Sequence, residues 1–198
     1  MRTHIPLLAA ATLAASIALT GCTSSGEMNG MDPGNGSDSS ATDSASTFND
    51  ADVTFATMMI PHHQQAVEMA EMLLDKDGID ERVTNLALAI KDAQQPEIDT
   101  MTEWLDSWGQ PYDDMGGMDH GGDGMMSDDD MAALESATGA EASTLFLEQM
   151  TQHHEGAIAM AKQEVSSGDN PDAIALAQSI IDSQTAEIDT MQGILATL

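Results

Sequence analysis

The chain has 198 residues and is strongly acidic, with 34 Asp and Glu against 5 Lys and Arg and a formal net charge of −29. Such a charge repels nucleic acid and anionic lipid headgroups, so we expect no nucleic-acid partner. The single cysteine excludes a disulfide or a thiolate metal cluster within one chain. A bound metal would therefore take its ligands from His, Met, Asp, Glu or Gln.

The N-terminus has the layout of a secretory signal, with a short basic start and an apolar run from Ile5 to Leu19. The run ends in LTGC, which resembles the bacterial lipobox, in which Cys22 receives a lipid. We predict a lipoprotein signal peptide over residues 1–21 and a protein outside the cytoplasm, anchored to the cell membrane by lipidated Cys22. The alternative is an unmodified cysteine beside an ordinary signal.

Two low-complexity stretches divide the rest of the chain. Residues 22–48 are mostly Ser, Gly, Asp and Thr, which bury too little apolar surface to fold, so we predict a flexible tether. Residues 113–130 read DDMGGMDHGGDGMMSDDD and form a linker. The linker separates a first predicted hairpin, residues 49–112, from a second, residues 131–198.

The two predicted hairpins repeat one sequence pattern. FATMMIPHH, beginning at Phe55, matches FLEQMTQHH, beginning at Phe146, and residues 90–101 match residues 180–191. One helical hairpin alone could not bury its apolar faces, whereas two copies can do so against each other. The repeat therefore predicts an all-α domain over residues 49–198, an antiparallel four-helix bundle built from two repeated hairpins.

Apolar residues at helical spacing and flanking cap residues predict the helix boundaries. Glycines at 78 and 168 end the first helix of each pair, and Asn170 before Pro171 is a favourable start for the last helix. The predicted helices cover residues 50–76, 80–107, 139–166 and 171 to the C-terminus, with a short one at 128–137.

Two prolines, Pro61 and Pro96, fall inside predicted helices. A proline in a helix removes one backbone hydrogen bond and usually bends the helix. We expect both helices to continue through their prolines with a kink. The alternative is a first helix that begins at Pro61.

Each hairpin carries one methionine beside a histidine pair. Residues three or four apart share a helix face, so Met59 lies beside His62 and His63 in the first copy. The second copy has the same arrangement. Folding the hairpins brings a glutamate and a glutamine of the partner helix to the same level, which predicts a metal site from side chains on facing helices. The predicted ligands are Met59, His62, His63, Glu97, Met150, His153, His154 and Glu187.

Several of these side chains have a simpler interpretation. The glutamates could instead accept N–H groups of the histidines or face solvent. Methionine at helical spacing commonly fills core gaps, and this is our expectation for five others. These are Met69, Met72, Met101, Met160 and Met191.

The linker holds a second candidate site for a soft metal, because sparse Met and His on a glycine-rich chain can wrap such an ion. Its alternative is a solvated acidic spacer. The candidate ligands are Met115, Met118, His120, Met125 and Met126.

The doubled His-His pattern and the two later repeats, over residues 49–198, resemble the domain-of-unknown-function 305 family. The resemblance implies a ferritin-like four-helix architecture and copper binding through His and Met outside the cytoplasm. At the positions that match, it points to the two histidine pairs with Met59 and Met150.

We therefore predict a non-enzymatic envelope protein that sequesters or buffers copper, as Cu(I), Cu(II) or both. Zinc and iron remain open as alternative bound metals. One alternative is a ferritin-like di-metal oxidase, although such centres take Glu-x-x-His pairs and this chain has none. Another is a scaffold or adaptor lipoprotein that binds no metal. The sequence identifies no protein partner.

Overall fold

A computed structural model describes residues 47–112 and 124–198. Within these residues all regular structure is α-helical, without strands, which confirms the all-α prediction. None of these helices is long and apolar enough to cross a bilayer. The predicted signal peptide, most of the tether and much of the linker lie outside the described residues. The helices are α1 Asp50–Leu74, α2 Glu81–Ser107, α3 Asp128–Ser136, α4 Gly139–Ser167 and α5 Pro171–Leu195.

Local cap chemistry explains where the helices begin. Asn49 caps α1 in a capping box with Asp52, and Asn170 accepts hydrogen bonds from the first backbone N–H groups of α5. Gly78, at φ 76°, lies in the turn after α1, a conformation that costs glycine little. Each observed helix boundary lies within two residues of the predicted one, with one exception. α5 ends at Leu195, three residues before its predicted end at the C-terminus.

α1 runs without interruption through Pro61, so the alternative that it begins there is wrong. The capping box at Asn49 starts the helix about three turns earlier. Phe55 and Met59, upstream of the proline, are both buried. This apolar burial offsets the one backbone hydrogen bond that the proline removes.

The helices pair as two hairpins. α1 packs along α2 and α4 packs along α5, while α1 and α4 supply most of the close backbone contact between the hairpins. α3 lies against α1 and α4. Before α1, the last predicted tether residue, Phe48, stacks on Trp108 with ring centroids 4.9 Å apart.

The core consists of two apolar clusters. The Leu73 cluster includes Leu73, Val83, Phe146 and Ile194, and the Phe55 cluster includes Phe55, Ile98, Leu105, Ala161 and Ile180. Along α1 the buried residues pass from the Phe55 cluster to the Leu73 cluster, and along α4 they pass in the opposite order. α1 and α4 are therefore antiparallel.

A layer of polar side chains separates the two clusters in each long helix, and we call it the polar layer. Its histidines and glutamines are buried, and its two glutamates are about four-fifths buried. The layer consists of His62, His63, Gln94, Glu97, His153, His154, Gln184 and Glu187.

Candidate metal site in the polar layer

Neighbouring histidines on one helix point about 100° apart, and the packing uses both directions. α1 lies between α2 and α4, so His63 faces α2 while His62 faces α4. In the second hairpin, His154 faces α5 and His153 faces α1. Each histidine pair therefore sends one imidazole within its hairpin and one across to the other hairpin.

The two imidazoles that stay within their hairpins meet glutamates. His63 Nε2 lies 2.7 Å from Glu97 Oε2, and His154 Nε2 lies 2.7 Å from Glu187 Oε2. The Nδ1 atoms of both rings have no hydrogen-bond partner. If a neutral ring donates Nε2–H to its carboxylate, the lone pair on Nδ1 stays free. Metal-bound histidines show this arrangement, in which a carboxylate fixes the ring and raises its basicity.

The other two imidazoles meet between the hairpins. The ring centroids of His62 and His153 are 3.7 Å apart, with 41° between the ring planes. Neither ring nitrogen of His153 has a partner in good hydrogen-bond geometry, although the backbone of His62 lies close to the ring. Burial, and then the neighbouring imidazole of His62, lower the pKa of His153 well below its usual value. His153 is therefore neutral at neutral pH, which is the form that binds metal.

Two glutamines on the outer helices complete the layer. Gln94 has neither side-chain amide atom paired, and Gln184 has its carbonyl oxygen unpaired, although both side chains are buried. An unpaired buried polar atom costs about 1–3 kcal/mol. The polar layer is therefore rich in unsatisfied donors and acceptors, which a bound ion would partly satisfy.

The two candidate methionine ligands border the layer from opposite sides. Met59 belongs to the Phe55 cluster and Met150 to the Leu73 cluster, and both are fully buried. Each sits three and four residues before its histidines, so one thioether approaches each side of the layer.

The structure brings the four histidines and both glutamates to one level, as pairs of side chains. Among the described residues, no three His, Cys, Asp or Glu side chains surround a common point suited to one ion. A metal in this layer would take two imidazoles and complete its coordination with a thioether or an amide oxygen.

The linker candidates divide between described and undescribed residues. Met115, Met118 and His120 lie outside the described residues, as does Cys22. Met125 is half-buried, whereas the side chain of Met126 packs in the Leu73 cluster. Met126 therefore occupies a core position.

The other methionines mostly occupy positions of core filler. Met69, Met101 and Met191 are fully buried in the apolar clusters, and Met72 packs partly buried against the Leu73 cluster. Met160 packs against the Phe55 cluster and lines a cavity.

These features define a class of protein: an all-helical chain of two packed hairpins whose core is divided by a buried histidine layer. The chain belongs to the family described as Domain of unknown function (DUF305), which matches residues 52–195. This confirms the resemblance seen in the sequence.

Solved structures with the same fold include a DUF305 fragment from Deinococcus radiodurans, 32% identical with a TM-score of 0.69, covering 76% of this chain and 98% of that one. A DUF305 protein from Streptomyces coelicolor is 38% identical, with a TM-score of 0.67, covering 74% and 91%. CopM in its Cu(II)-bound form is 35% identical, with a TM-score of 0.65, covering 73% and 95%. CopM has also been solved with Cu(I) and with silver. No curated protein matches the chain.

Proposed function

We propose that this protein binds copper in its polar layer and sequesters or buffers the ion outside the cytoplasm. The observation that carries the proposal is a set of buried imidazoles that each keep at least one ring nitrogen without a hydrogen-bond partner, at His63, His153 and His154. Neutral imidazole binds Cu(II) well, and thioether sulfur favours Cu(I). The fold shared with CopM, which has been solved with both copper ions, supports the choice of metal.

The residues divide into ligands and orienting groups. The histidines supply nitrogen, Met59 and Met150 supply sulfur, and Gln94 and Gln184 offer amide oxygens. Glu97 and Glu187 act through the histidines they hold, by fixing ring orientation and raising ligand basicity. The proposed arrangement holds the ion within a ferritin-like bundle of the four long helices.

The protein acts by binding and needs no catalytic turnover. A lipid on Cys22 would hold it at the membrane surface, where its excess of acidic residues raises the local concentration of cations. The linker methionines at 115 and 118 with His120 would form a second, weaker site. Membrane fractionation of the C22S variant tests the anchor, which predicts that this variant is released from the membrane.

The metal proposal is tested with a variant in which all four core histidines become Gln, which keeps the layer polar. Metal content and melting temperature are measured with Cu(I), Cu(II), Zn(II) and Fe(II). We expect copper to bind the polar layer of the unchanged protein tightly and raise its melting temperature by linkage. Both the tight binding and the stabilisation should disappear in the variant, which keeps only the weaker linker site. His120→Gln, in the linker, serves as the matched control and should retain binding by the layer.

Each other outcome has a distinct meaning. Copper binding that survives in the four-histidine variant but is lost in His120→Gln would move the site to the linker. Binding of iron alone would favour the di-metal oxidase. No binding of any of these metals would leave the scaffold or adaptor lipoprotein. Circular dichroism of the metal-free variant checks that it has folded.

A further inference from the structure

A groove runs between the antiparallel helices α1 and α4. At one end it is open, as a cavity of about 400 Å³ lined by α1 from Asp50 to Met58 and by α4 from Ala159 to Glu164. Continuing along the same face, Gln65 follows Met58 by seven residues on α1. Gly156 precedes Met160 by four residues on α4. The open groove thus leads towards the turns that carry the histidines.

Residues 124–126, which we call the strap, cross the groove at this point. The side-chain amide of Gln65 holds the backbone of Met126 on both sides: Nε2 donates to the carbonyl oxygen at 2.9 Å and Oε1 accepts from N–H at 2.7 Å. The side chain of Met126 enters the Leu73 cluster. The strap is therefore fixed to α1 by two hydrogen bonds and to the core by one side chain.

The other end of the strap rests on the backbone of α4. Gly124 has a φ of 86°, and a Cβ placed there would lie 2.8 Å from both the carbonyl oxygen of Gln152 and the Cα of Gly156. Real Cβ atoms do not approach backbone this closely, so only glycine fits this contact. The strap therefore touches α4 within the turn that contains His153.

The strap contacts equivalent positions of the two hairpins. Gln65 follows His62 by three residues, and Gly156 follows His153 by three residues. At the first position the side chain of Gln65 forms hydrogen bonds with the strap. At the second position Gly156 has no side chain, which leaves space for the strap. His62 and His153 are the pair that meets between α1 and α4, and each is at most 1% exposed.

We propose that the strap seals the groove side of the polar layer, and that Gln65 is the positioning residue that keeps it closed. Beyond Met58 and Met160, where none of the described residues covers the groove, it widens into the cavity. The strap thus limits how fast solvent and a metal ion reach His62 and His153. Its role in metal exchange rests on the proposed function, whereas its role in excluding solvent does not.

The test compares the full chain with Q65A and with Q95A, the matched control, because Gln95 is an exposed glutamine on α2. In the metal-free protein, hydrogen exchange at the Met126 amide and diethyl pyrocarbonate modification of His62 and His153 are followed by mass spectrometry. Loss of two hydrogen bonds should accelerate both reactions about tenfold or more in Q65A and leave Q95A unchanged. G124A, which cannot keep the contact with α4, should accelerate the histidine reaction as well.

Equal histidine reactivity in Q65A, G124A and the unchanged protein would overturn the proposal, even if the Met126 amide exchanged faster. A second experiment, on the copper-loaded protein, measures the rate at which a chelator removes Cu(I). This rate should rise in Q65A by a factor similar to that for histidine modification. If modification accelerates but no variant binds copper, the seal stands and the proposed function fails. If copper leaves both proteins at the same rate, the strap does not control metal exchange.

Discussion

The carboxyl groups of Asp52 and Glu164 pair in the interior, where the start of α1 meets the end of α4. Asp52 accepts backbone N–H groups of Asn49, Asp169 and Asn170 at 2.6–3.2 Å, whereas the oxygens of Glu164 receive no donor. Burial raises the pKa of Asp52, but the hydrogen bonds from Glu164 and the backbone outweigh it and lower that pKa. Burial and then Asp52 raise the pKa of Glu164 to about 8. The proton that joins the pair therefore sits on Glu164.

This pair makes stability depend on pH. Between the ordinary pKa of Glu and about 8, folded Glu164 holds a proton that the unfolded chain has lost. Its contribution is full below the ordinary pKa and is lost as the pH rises through about 8. In E164Q the amide can still donate to Asp52 but does not titrate. We therefore expect this variant to lose about 2–4 kcal/mol less of its free energy of unfolding as the pH rises. Urea unfolding at a series of pH values from about 5 to 9 measures it.

E155Q is the control for this prediction, because Glu155 is an exposed glutamate on the same helix. It removes the same charge without touching the pair. If E155Q flattened the pH dependence as much as E164Q, general charge repulsion would be the cause and the prediction would fail.

Asp52 should also be a large local contributor to stability. D52A leaves three backbone N–H groups without their acceptor and removes the link from α1 to the turn before α5. We expect the free energy of unfolding to fall by about 2–4 kcal/mol, measured by urea unfolding at neutral pH. D50A removes the neighbouring exposed acid of the same first turn and should cost less than about 1 kcal/mol. Equal losses in the two variants would contradict this account.

The glutamates of the polar layer should affect metal affinity without contacting the metal. E97Q keeps an acceptor near His63 but removes the charge that makes the imidazole a better ligand, so copper affinity should fall about tenfold or more. Competition with a chromophoric chelator measures the change, and E187Q should behave alike at His154. E103Q, on an exposed position of α2, is the control. Unchanged affinity in both layer variants would show that these carboxylates do not support metal ligands.

The two methionines beside the layer can be separated from core filler by a volume-conserving change. M59L and M150L should cost less than about 1.5 kcal/mol of stability, because leucine fills nearly the same volume. Loss of a thioether should weaken Cu(I) binding much more than Cu(II) binding. M69L is the control, since Met69 is equally buried about two turns beyond the histidines. If all three variants bound Cu(I) like the unchanged protein, the methionines would be packing residues only.

The helices could be predicted from the sequence, because their causes are local. Capping residues such as Asn49 and Asn170 act on the N–H groups of the next turn, and helical spacing shows which face is apolar. The spacing also put Met59 beside its histidines and indicated that glutamates of the partner helices lie at their level.

The side chains that meet in the core could not be predicted in this way, because their contacts depend on how the helices pack. Two adjacent histidines point in different directions, and only the packing of α1 between α2 and α4 sends His63 to Glu97 and His62 to His153. The same packing placed the side chain of Met126 in the Leu73 cluster. Gln65 gave no signal in the sequence, since its partner is backbone 61 residues away. Periodicity describes neighbours along one helix, whereas these contacts depend on how two hairpins pack, and apolar patterning leaves that geometry open.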